Sequence, residues 1–387
     1  MQFRDLKKQY EVLKQDIDKA MIAVASQSHY IMGPQVKELE QQLAEYVGVK
    51  HCLTCANGTD ALTLALKAFG VGKGDAVFVP DFTFFASAEV VALEGATPVF
   101  VDVDDTTFNI DVTSLEKAII QTLADGKLTP KVIIAVDLFG LPANYPAVKA
   151  VARKYGLLIL EDGAQGFGGS ITPLTSHPSP LTSKACSFGD ISTTSFFPAK
   201  PLGCYGDGGA VFTDSDEWAE LMNSYRVHGK GADKYDNVRI GMNSRLDTLQ
   251  AAVLQVKLRA FDEEVEKVNE AARHYTRLLK DHVKTPVVPE GFGSSWAQYT
   301  IQLSNEEQRN RLQAALKEAG IPSMVYYPKP MHLQTAFSHC SPPTPHPSLT
   351  TSSRLCATVL SLPMHPYLEA ADIEHISSVI ICLQTRL

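Results

Sequence analysis

The sequence predicts an α/β fold built on a mostly parallel β-sheet that helices cover on both faces. Apolar runs of strand length alternate with segments of helical periodicity, and the runs are apolar at successive positions. Strands of that kind are buried on both faces, as in parallel sheets with helical crossovers. The strand candidates are 76–80, 98–103, 131–137, 157–161 and 209–213. The helix candidates between them are 59–69, 84–94, 112–124 and 144–155.

Helical elements also flank this alternating region. Residues 34–47 have apolar positions at helical spacing, begin with a proline and are followed by Gly48, which favours a helix that ends there. Residues 244–283 contain neither Pro nor Gly and predict one long helix, or two in line. A smaller α+β region follows, with strand candidates near 296–303 and 322–327. We therefore expect a large ligand-binding domain with its N-terminal segment, 1–250, and a small C-terminal domain, 251–387.

The composition is that of an ordinary globular protein. The 387 residues are 45% hydrophobic and 20% charged, with a net charge of −8. An acidic balance argues against binding to nucleic acid or to a membrane surface. No apolar run reaches membrane-spanning length, and the N-terminus lacks the apolar core of a signal peptide, so we expect a cytoplasmic protein.

We assign no catalytic or binding role to two other features of the composition. The seven scattered cysteines suit free thiols, and Cys52-Leu-Thr-Cys55 lacks the second pair that a zinc site needs, so no metal site is predicted. We interpret Cys52 and Cys55 as two half-buried strand residues, and a thioredoxin-like redox role for this pair is the alternative. The segments 171–183 and 341–353 are rich in Pro, Ser and Thr and predict surface loops.

A single lysine carries the strongest functional signal. Lys200 lies in Ser195-Phe-Phe-Pro-Ala-Lys200, and a glycine-rich stretch to Gly209 follows it. Asp162 directly follows the strand candidate 157–161, which precedes this motif. A lysine amine can form a Schiff base with the aldehyde of pyridoxal phosphate (PLP), and a carboxylate can keep the pyridine nitrogen protonated. The pattern therefore indicates PLP chemistry at the carboxyl ends of the strands.

The phosphate of such a cofactor also has candidate ligands. Gly58 and Thr59 open a helix, where backbone N–H groups attract anions, and Ser195 offers a hydroxyl. Each feature has an ordinary alternative: a surface lysine, a strand-end aspartate that caps a turn, and a routine helix cap. The PLP interpretation is favoured because all these features fall where one ligand site would form.

With these motifs, the chain resembles the DegT/DnrJ/EryC1/StrS family of PLP-dependent nucleotide-sugar aminotransferases, of fold type I, from end to end. The resemblance implies a seven-stranded, mostly parallel sheet. Seven motifs occur in the family's order: Gly33-Pro34, Asn57-Gly-Thr-Asp-Ala-Leu62, Pro80-Asp-Phe-Thr-Phe84, Glu161-Asp-Gly-Ala-Gln165, Ser187-Phe-Gly-Asp190, Ser195-Phe-Phe-Pro-Ala-Lys200 and Gly241-Met-Asn-Ser-Arg-Leu-Asp247. One departure is the segment between Gln165 and Ser187, which is longer and richer in proline than the family pattern and lacks its basic Tyr-Lys-Gly type of motif.

The resemblance gives each matching position a role. Lys200 would bind the cofactor covalently and act as acid–base catalyst, with a pKa lowered by desolvation. Asp162 would pair with the pyridine nitrogen, Gln165 would lie near the ring hydroxyl, and Phe84 would stack on the ring. Asn243 matches a position that reaches the phosphate from the neighbouring subunit, which implies a homodimer with shared active sites. An ordinary helix-start residue is the alternative for Asn243.

The implied reaction is the transfer of an amino group from L-glutamate, which leaves as 2-oxoglutarate, to a nucleotide-linked keto sugar. The chain is most similar to members that aminate C3 of UDP-2-acetamido-2-deoxy-3-oxo-glucuronate for bacterial surface polysaccharide such as O-antigen. Arg245 is the candidate for the uronate carboxylate, with an ion pair to Asp247 as its alternative. Tyr327 and His332 are candidates for the sugar pocket or for packed loop residues.

Other functions fit the sequence less well. A dTDP-3-keto-6-deoxyhexose aminotransferase is the alternative within the family, whereas the related dehydratases replace the lysine with histidine. Gly166-Phe-Gly168-Gly-Ser lacks the full spacing of a dinucleotide-binding motif. Gly70-Val-Gly-Lys73-Gly has neither the glycine spacing nor the Ser or Thr of a P-loop.

Overall fold

A computed structural model describes residues 1–174, 181–233, 235–338 and 349–384. The helices are α1 Leu6–Gln27, α2 Pro34–Val47, α3 Gly58–Ala68, α4 Ala86–Leu93, α5 Val112–Asp125, α6 Tyr145–Tyr155, α7 Asp216–Tyr225, α8 Thr248–Leu279, α9 Glu306–Glu318, α10 Thr350–Thr358 and α11 Ala370–Gln384. The strands are β1 His51–Cys55, β2 Asp75–Pro80, β3 Thr97–Val101, β4 Thr129–Val136, β5 Leu158–Asp162, β6 Ser170–Ile171, β7 Ser183–Lys184, β8 Ile191–Ser195, β9 Gly209–Thr213, β10 Phe292–Gly293, β11 Tyr299–Gln302 and β12 Val359–Leu362.

The central element is a seven-stranded sheet with the order β1-β9-β8-β5-β4-β2-β3. Strand β9 is antiparallel to both of its neighbours, and the remaining pairs are parallel. The predicted mostly parallel sheet is therefore confirmed.

Helices cover this sheet on both faces. In β4, Val132, Ile134 and Val136 belong to one hydrophobic core, and the alternate residues Ile133 and Ala135 belong to the core on the opposite face. Successive side chains of a strand point to opposite faces, so this division places packed layers on both sides of the sheet. The continuously apolar strands of the sequence have this cause.

A second, smaller core surrounds the two-stranded sheet β11–β12. Helices α9 and α11 and the C-terminal half of α8 pack there through residues such as Tyr275, Leu312 and Ile376. The N-terminal half of α8 packs against the large sheet and α2, through Ala251 and Leu254. The long helix thus links the two cores, and the predicted domain boundary between residues 250 and 251 stays a prediction.

Several elements differ from the sequence prediction. Strand β8, with the sequence Ile-Ser-Thr-Thr-Ser, was not predicted because it is polar. The hydroxyls of its two threonines are nevertheless buried and satisfied: Thr193 donates to the Glu161 carbonyl at 3.0 Å and Thr194 to the Gly163 carbonyl at 3.0 Å. The strand predicted near 322–327 is wrong, since only Met324 forms a single bridge there, to Ser361.

The two predicted loop segments are only partly described. Residues 175–180 and 339–348 lie outside the described residues. The ends of the first segment form β6 and β7, and the end of the second belongs to α10, so the loop prediction is wrong for these residues. Of the seven cysteines, six lie in the described ranges and all six are free thiols. No helix among the described residues is both long and apolar enough to cross a bilayer.

Candidate active site

The predicted site residues come together at one edge of the large sheet. Ser195 at the end of β8 and Cys55 at the end of β1 both pair with Gly209 of β9. Asp162 at the end of β5 pairs with Thr193 of β8. Strands β1, β8 and β5 therefore end side by side, and each is followed by a segment that carries predicted ligand-binding residues.

The first of these segments is the start of α3. Asn57 caps the helix, and its side-chain oxygen accepts a hydrogen bond from the Asp60 N–H at 2.8 Å. The N–H groups of Gly58 and Thr59 lie in the first turn, where no helical carbonyl is available to them. A Cβ at Gly58 would lie 2.8 Å from the Ser195 Cβ, so only glycine permits this close approach of α3 to β8. The arrangement is a cradle of N–H groups beside a serine hydroxyl.

Asp162 is buried, with 4% of its surface exposed. Its carboxylate accepts a hydrogen bond from the Ser87 hydroxyl at 2.7 Å and one from the Ala164 N–H at 3.2 Å. Burial raises the pKa of Asp162, and these two hydrogen bonds and the charge of Lys200 oppose that rise. A cation placed against this carboxylate would stabilise its ionised form further.

Lys200 is half-buried near this carboxylate. Burial lowers the pKa of its amine, the negative charge of Asp162 opposes the decrease, and the positive charge of Arg4 adds to it. The predicted direction is confirmed. A lowered pKa increases the fraction of neutral amine, which is the form that attacks an aldehyde.

Gln165, Tyr327 and Phe84 form one side of the site. The Gln165 side chain accepts a hydrogen bond from the Phe139 N–H at 2.7 Å and donates one to the Tyr327 hydroxyl at 3.0 Å. Burial raises the pKa of Tyr327, the hydrogen bond from Gln165 opposes the rise, and the nearby Asp162 charge adds to it. The Phe84 ring is 54% exposed and its centroid lies 6.1 Å from that of Tyr327. A flat ligand above Asp162 would therefore have an aromatic face available.

His332 is held by a buried carboxylate. Its backbone N–H and its ring Nδ1 lie 2.8 and 2.7 Å from the two carboxylate oxygens of Asp81, which follows β2. This pair anchors the turn at 331–333 to the large sheet. A contact between His332 and a sugar stays a prediction.

Asn243 and Arg245 lie in the segment that leads into α8. Asn243 is exposed, and Arg245 is half-buried with no carboxylate of the described residues within 4.0 Å of its guanidinium. The alternative ion pair with Asp247 is therefore not formed. Ser244, between them, accepts a hydrogen bond from the Ala56 N–H at 3.1 Å. This contact brings the segment close to the residues that open α3.

Two residues near the site were missed by the sequence prediction. Ser87, which bonds to Asp162, lies in the first turn of α4, one helical turn after Thr83, whose hydroxyl is 3.2 Å away. A hydroxyl in the turn after the 80–84 motif was the available signal. Arg4 donates to the Lys200 carbonyl at 3.0 Å across 196 residues, and nothing in the local sequence indicates that contact.

Comparison with known proteins agrees with this geometry. The family model described as the DegT/DnrJ/EryC1/StrS aminotransferase family matches residues 11–381. The chain belongs to this family. Its members are PLP-dependent enzymes, and this chain is accordingly a PLP-dependent aminotransferase.

Individual relatives match over nearly their whole length. The UDP-2-acetamido-2-deoxy-3-oxo-D-glucuronate aminotransferase of Pseudomonas aeruginosa is 43% identical over 98% of this chain and 99% of its own. The UDP-N-acetyl-3-dehydro-alpha-D-glucosamine 3-aminotransferase of Acidithiobacillus ferrooxidans is 39% identical over 97% of this chain and 96% of its own. A crystal structure of a DegT DnrJ EryC1 StrS aminotransferase from Brucella abortus superposes with a TM-score of 0.93 at 51% identity, over 98% of both chains.

The residues at the sheet edge fit PLP. The N–H cradle of α3 and the Ser195 hydroxyl suit a phosphate. Asp162 is buried and its carboxylate receives two hydrogen bonds from the described residues, so it can still accept one from a protonated ring nitrogen. The amine of Lys200, near Asp162, suits the aldehyde.

Proposed function

We propose that the enzyme transfers an amino group from L-glutamate to C3 of UDP-2-acetamido-2-deoxy-3-oxo-glucuronate, forming UDP-2-acetamido-3-amino-2,3-dideoxy-glucuronate. The observation that carries this proposal is the 43% identity, over nearly the whole chain, to an aminotransferase named for that substrate. The product would serve the synthesis of bacterial surface polysaccharide such as O-antigen, in the cytoplasm. The coarser statement, an aminotransferase that uses an amino donor and a keto sugar, rests on the family alone.

The site residues would divide the work as follows. Bound PLP supplies the electron sink for the transfer. Lys200 would hold the cofactor covalently between turnovers and move the proton at the substrate carbon that gains or loses the amine. Asp162 would keep the ring nitrogen protonated, and Phe84 and Gln165 would orient the ring. Gly58, Thr59 and Ser195 would bind the phosphate.

Replacement of Lys200 tests this assignment first. Lys200→Arg keeps the charge but removes an amine able to form a Schiff base, so we expect no turnover. The matched control is Lys7→Arg, on the exposed side of α1, which should have wild-type activity. Full activity in Lys200→Arg would refute the assignment.

The uronate is supported by Arg245. Its guanidinium is half-buried and has no carboxylate of the described residues within 4.0 Å, so it is available for a ligand carboxylate. A guanidinium binds a carboxylate bidentately, which a neutral sugar cannot reproduce. Tyr327 and His332 would line the same sugar pocket.

The substrate is tested by running the sugar half-reaction backwards. PLP-loaded enzyme is titrated with UDP-2-acetamido-3-amino-2,3-dideoxy-glucuronate, and visible absorbance follows conversion of the lysine-bound cofactor into pyridoxamine phosphate. We expect conversion with this sugar and with L-glutamate. Conversion only with a UDP 3-amino sugar that lacks the carboxylate, or only with a 3-amino dTDP sugar, would retain the aminotransferase and reject the uronate.

The role of Arg245 is tested in the same titration. Arg245→Met should weaken binding of the uronate about tenfold or more, because a charge-assisted pair is lost. It should leave the response to L-glutamate unchanged. Arg259→Met, on the exposed face of α8, is the matched control.

We further propose a homodimer in which Asn243 reaches the phosphate of the partner's site. Two segments close to Asn243 expose large apolar side chains that a second copy would cover. They are Tyr30, Ile31 and Met32, with 42–49% of their surface exposed, and Tyr235, Val238 and Ile240, with 53–90% exposed. A backbone bridge joins Ile31 to Asp247, so the first segment lies beside the chain that leads from Asn243 into α8.

A mixing experiment tests the shared site. Lys200→Arg and Asn243→Ala are each expected to be strongly impaired. In a mixed dimer, one of the two sites combines an intact Lys200 from one subunit with an intact Asn243 from the other. Partial recovery of activity on mixing is therefore expected, and no recovery from subunits that demonstrably exchange would contradict the proposal.

A further inference from the structure

Residues 1–5 lie against the lysine loop, which we define as residues 200–206. We call residues 1–5 the strap. The guanidinium of Arg4 donates hydrogen bonds to the carbonyls of Lys200 and Pro201, at 3.0 and 3.3 Å. These are the carbonyls of the proposed Schiff-base lysine and of the residue that follows it. A contact on the backbone of Lys200 itself limits where its side chain can be placed.

Arg4 lies in a partly buried cluster of polar groups. Burial lowers the pKa of Arg4 to about 10, and the charges of Glu264 and Tyr367 oppose this decrease. The buried Glu264 carboxylate accepts hydrogen bonds from the Gln9 side chain at 2.9 and 3.0 Å and from the Tyr367 hydroxyl at 2.6 Å. Arg4 thus remains charged at neutral pH, with a fixed counter-charge behind it.

A second cation holds the same loop from α8. The Lys257 side chain is only 2% exposed, and its amine donates to the Gly203 carbonyl at 2.6 Å. The same amine lies 4.4 Å from the centre of the Tyr205 ring. The lysine loop is therefore fastened at its beginning by the strap and at its middle by α8.

The strap also contacts the smaller core and one wall of the site. The Phe3 carbonyl accepts a hydrogen bond from the Met364 N–H at 3.1 Å. The Phe3 ring lies edge-on to Tyr326, with centroids 6.2 Å apart, and Tyr326 precedes the Tyr327 that bonds to Gln165. Two neighbouring strap residues thus face two different parts of the molecule.

We propose that Arg4 is a positioning residue: it fixes the backbone of Lys200 and, through Phe3, ties the lysine loop to the segments at 326 and 364. The inference rests on the proposed role of Lys200. Arg4 contacts the loop carbonyls and acts on the reaction through Lys200. Its charge also favours the neutral form of the nearby amine, against the opposite effect of Asp162.

The experiment compares Arg4→Met, Arg4→Lys and the control Lys7→Met in the full chain. Met keeps the aliphatic stem but removes the charge and the donors, whereas Lys keeps the charge with a different donor geometry. The first readout is amide hydrogen exchange of residues 200–206, which needs neither cofactor nor turnover. The second is the pH midpoint for covalent capture of PLP by apoprotein, trapped with borohydride and measured by mass.

For Arg4→Met we expect faster exchange in 200–206, a higher pH midpoint and a kcat about tenfold lower with KM nearly unchanged. Arg4→Lys should have a pH midpoint close to that of wild type, because the charge is kept, but exchange in 200–206 should remain faster than in wild type. Lys7→Met should match wild type in both readouts. Wild-type exchange in 200–206 for a folded Arg4→Met protein would overturn the proposal, as would a midpoint that does not move. If Lys200→Arg were found active, the proposed function would fail while the exchange result would still report on the strap.

Discussion

Glu161 and Asp162 are adjacent residues of β5, and both carboxyl groups are buried, yet their surroundings differ sharply. Glu161 accepts hydrogen bonds from four groups of β8 and the segment before it: the N–H groups of Cys186, Phe188 and Gly189 and the hydroxyl of Ser192. Within the part of the chain that the structure describes, Asp162 accepts two, from Ser87 and Ala164. Because successive side chains of a strand point to opposite faces, one position serves each side of the sheet.

The difference separates a structural carboxylate from one that is available to a ligand. A carboxylate has about four lone-pair sites, and the protein occupies those of Glu161. Asp162 keeps unused acceptor capacity near Lys200, at the edge where β8 ends and α3 begins. We infer that the number of internal donors, more than burial, distinguishes the two roles.

Glu161 also has a carboxyl neighbour, Asp137. The Asp137 Oδ1 atom accepts from the Tyr145 hydroxyl at 2.8 Å and the Ala143 N–H at 3.0 Å, whereas Oδ2 is buried and no described residue donates to it. Burial and the Glu161 charge raise the pKa of Asp137. We infer that Asp137 retains a proton, which can supply a hydrogen bond between the two carboxyl groups.

The largest expected effect is that of Asp162→Asn. The amide preserves shape and can still accept from Ser87, but it cannot keep a ring nitrogen protonated. We expect kcat to fall about 10³-fold, on the scale of losing a preorganised charge, with the melting temperature nearly unchanged. Steady-state kinetics and thermal melts measure both quantities. If the variant melted far below wild type, Asp162 would be a structural carboxylate like Glu161, and the contrast between the two residues would fail.

Glu161→Gln should show the opposite pattern. In wild type the N–H donors bond to a carboxylate, but in the variant the NH₂ end of the amide would face some of these donors. We therefore expect a loss of about 3 kcal/mol in the free energy of unfolding. Urea unfolding measures this loss. The kcat per PLP-bound molecule should stay within about threefold of wild type, and a drop comparable to that of Asp162→Asn would show that Glu161 is also functional.

Asp137→Asn addresses the pH dependence. In the folded protein Asp137 keeps its proton above the pKa at which an unfolded aspartate loses it, so folding takes up a proton and stability decreases as pH rises above about 4. Asn mimics the protonated group, donating to Glu161 and accepting from Tyr145. Between pH 5 and 8 the free energy of unfolding, measured in urea, should therefore decrease less for the variant than for wild type. Parallel pH curves for the two proteins would rule out the shared proton.

Ser87→Ala should have the smallest effect. It removes the hydrogen bond from the Ser87 hydroxyl to Asp162. Such a bond contributes about 1 kcal/mol to stability, and it lowers the pKa of this carboxyl against the effect of burial. We expect activity to fall severalfold, most strongly at low pH, where Asp162 becomes protonated more readily. Thr63→Ala, which removes a hydroxyl bonded within α3, is a matched control; an identical pH–rate profile in wild type and Ser87→Ala would contradict the role of Ser87.

The parts of the fold and site that could be predicted from sequence are those with a local signal. Five buried strands were recognised because both faces of the sheet are apolar, and Lys200 and Asp162 because each lies in a motif of neighbouring residues. Strand β8 was missed since its buried hydroxyls bond to the backbone of β5, which polarity along the chain cannot indicate. The contacts of Ser87 and Arg4 were missed because their partners lie 75 and 196 residues away.

The amino-acid order was thus sufficient to indicate the α/β class, the cofactor and the lysine that binds it, since each depends on residue types at short spacing. The unequal supply of donors to Glu161 and Asp162 was not readable in that order, because the donors come from segments that only chain folding brings to β5. The strap has the same character: a guanidinium near the N-terminus meets two carbonyls of the lysine loop. Hydrogen bonds act over about 3 Å, so their partners are set by where the packed core places each segment.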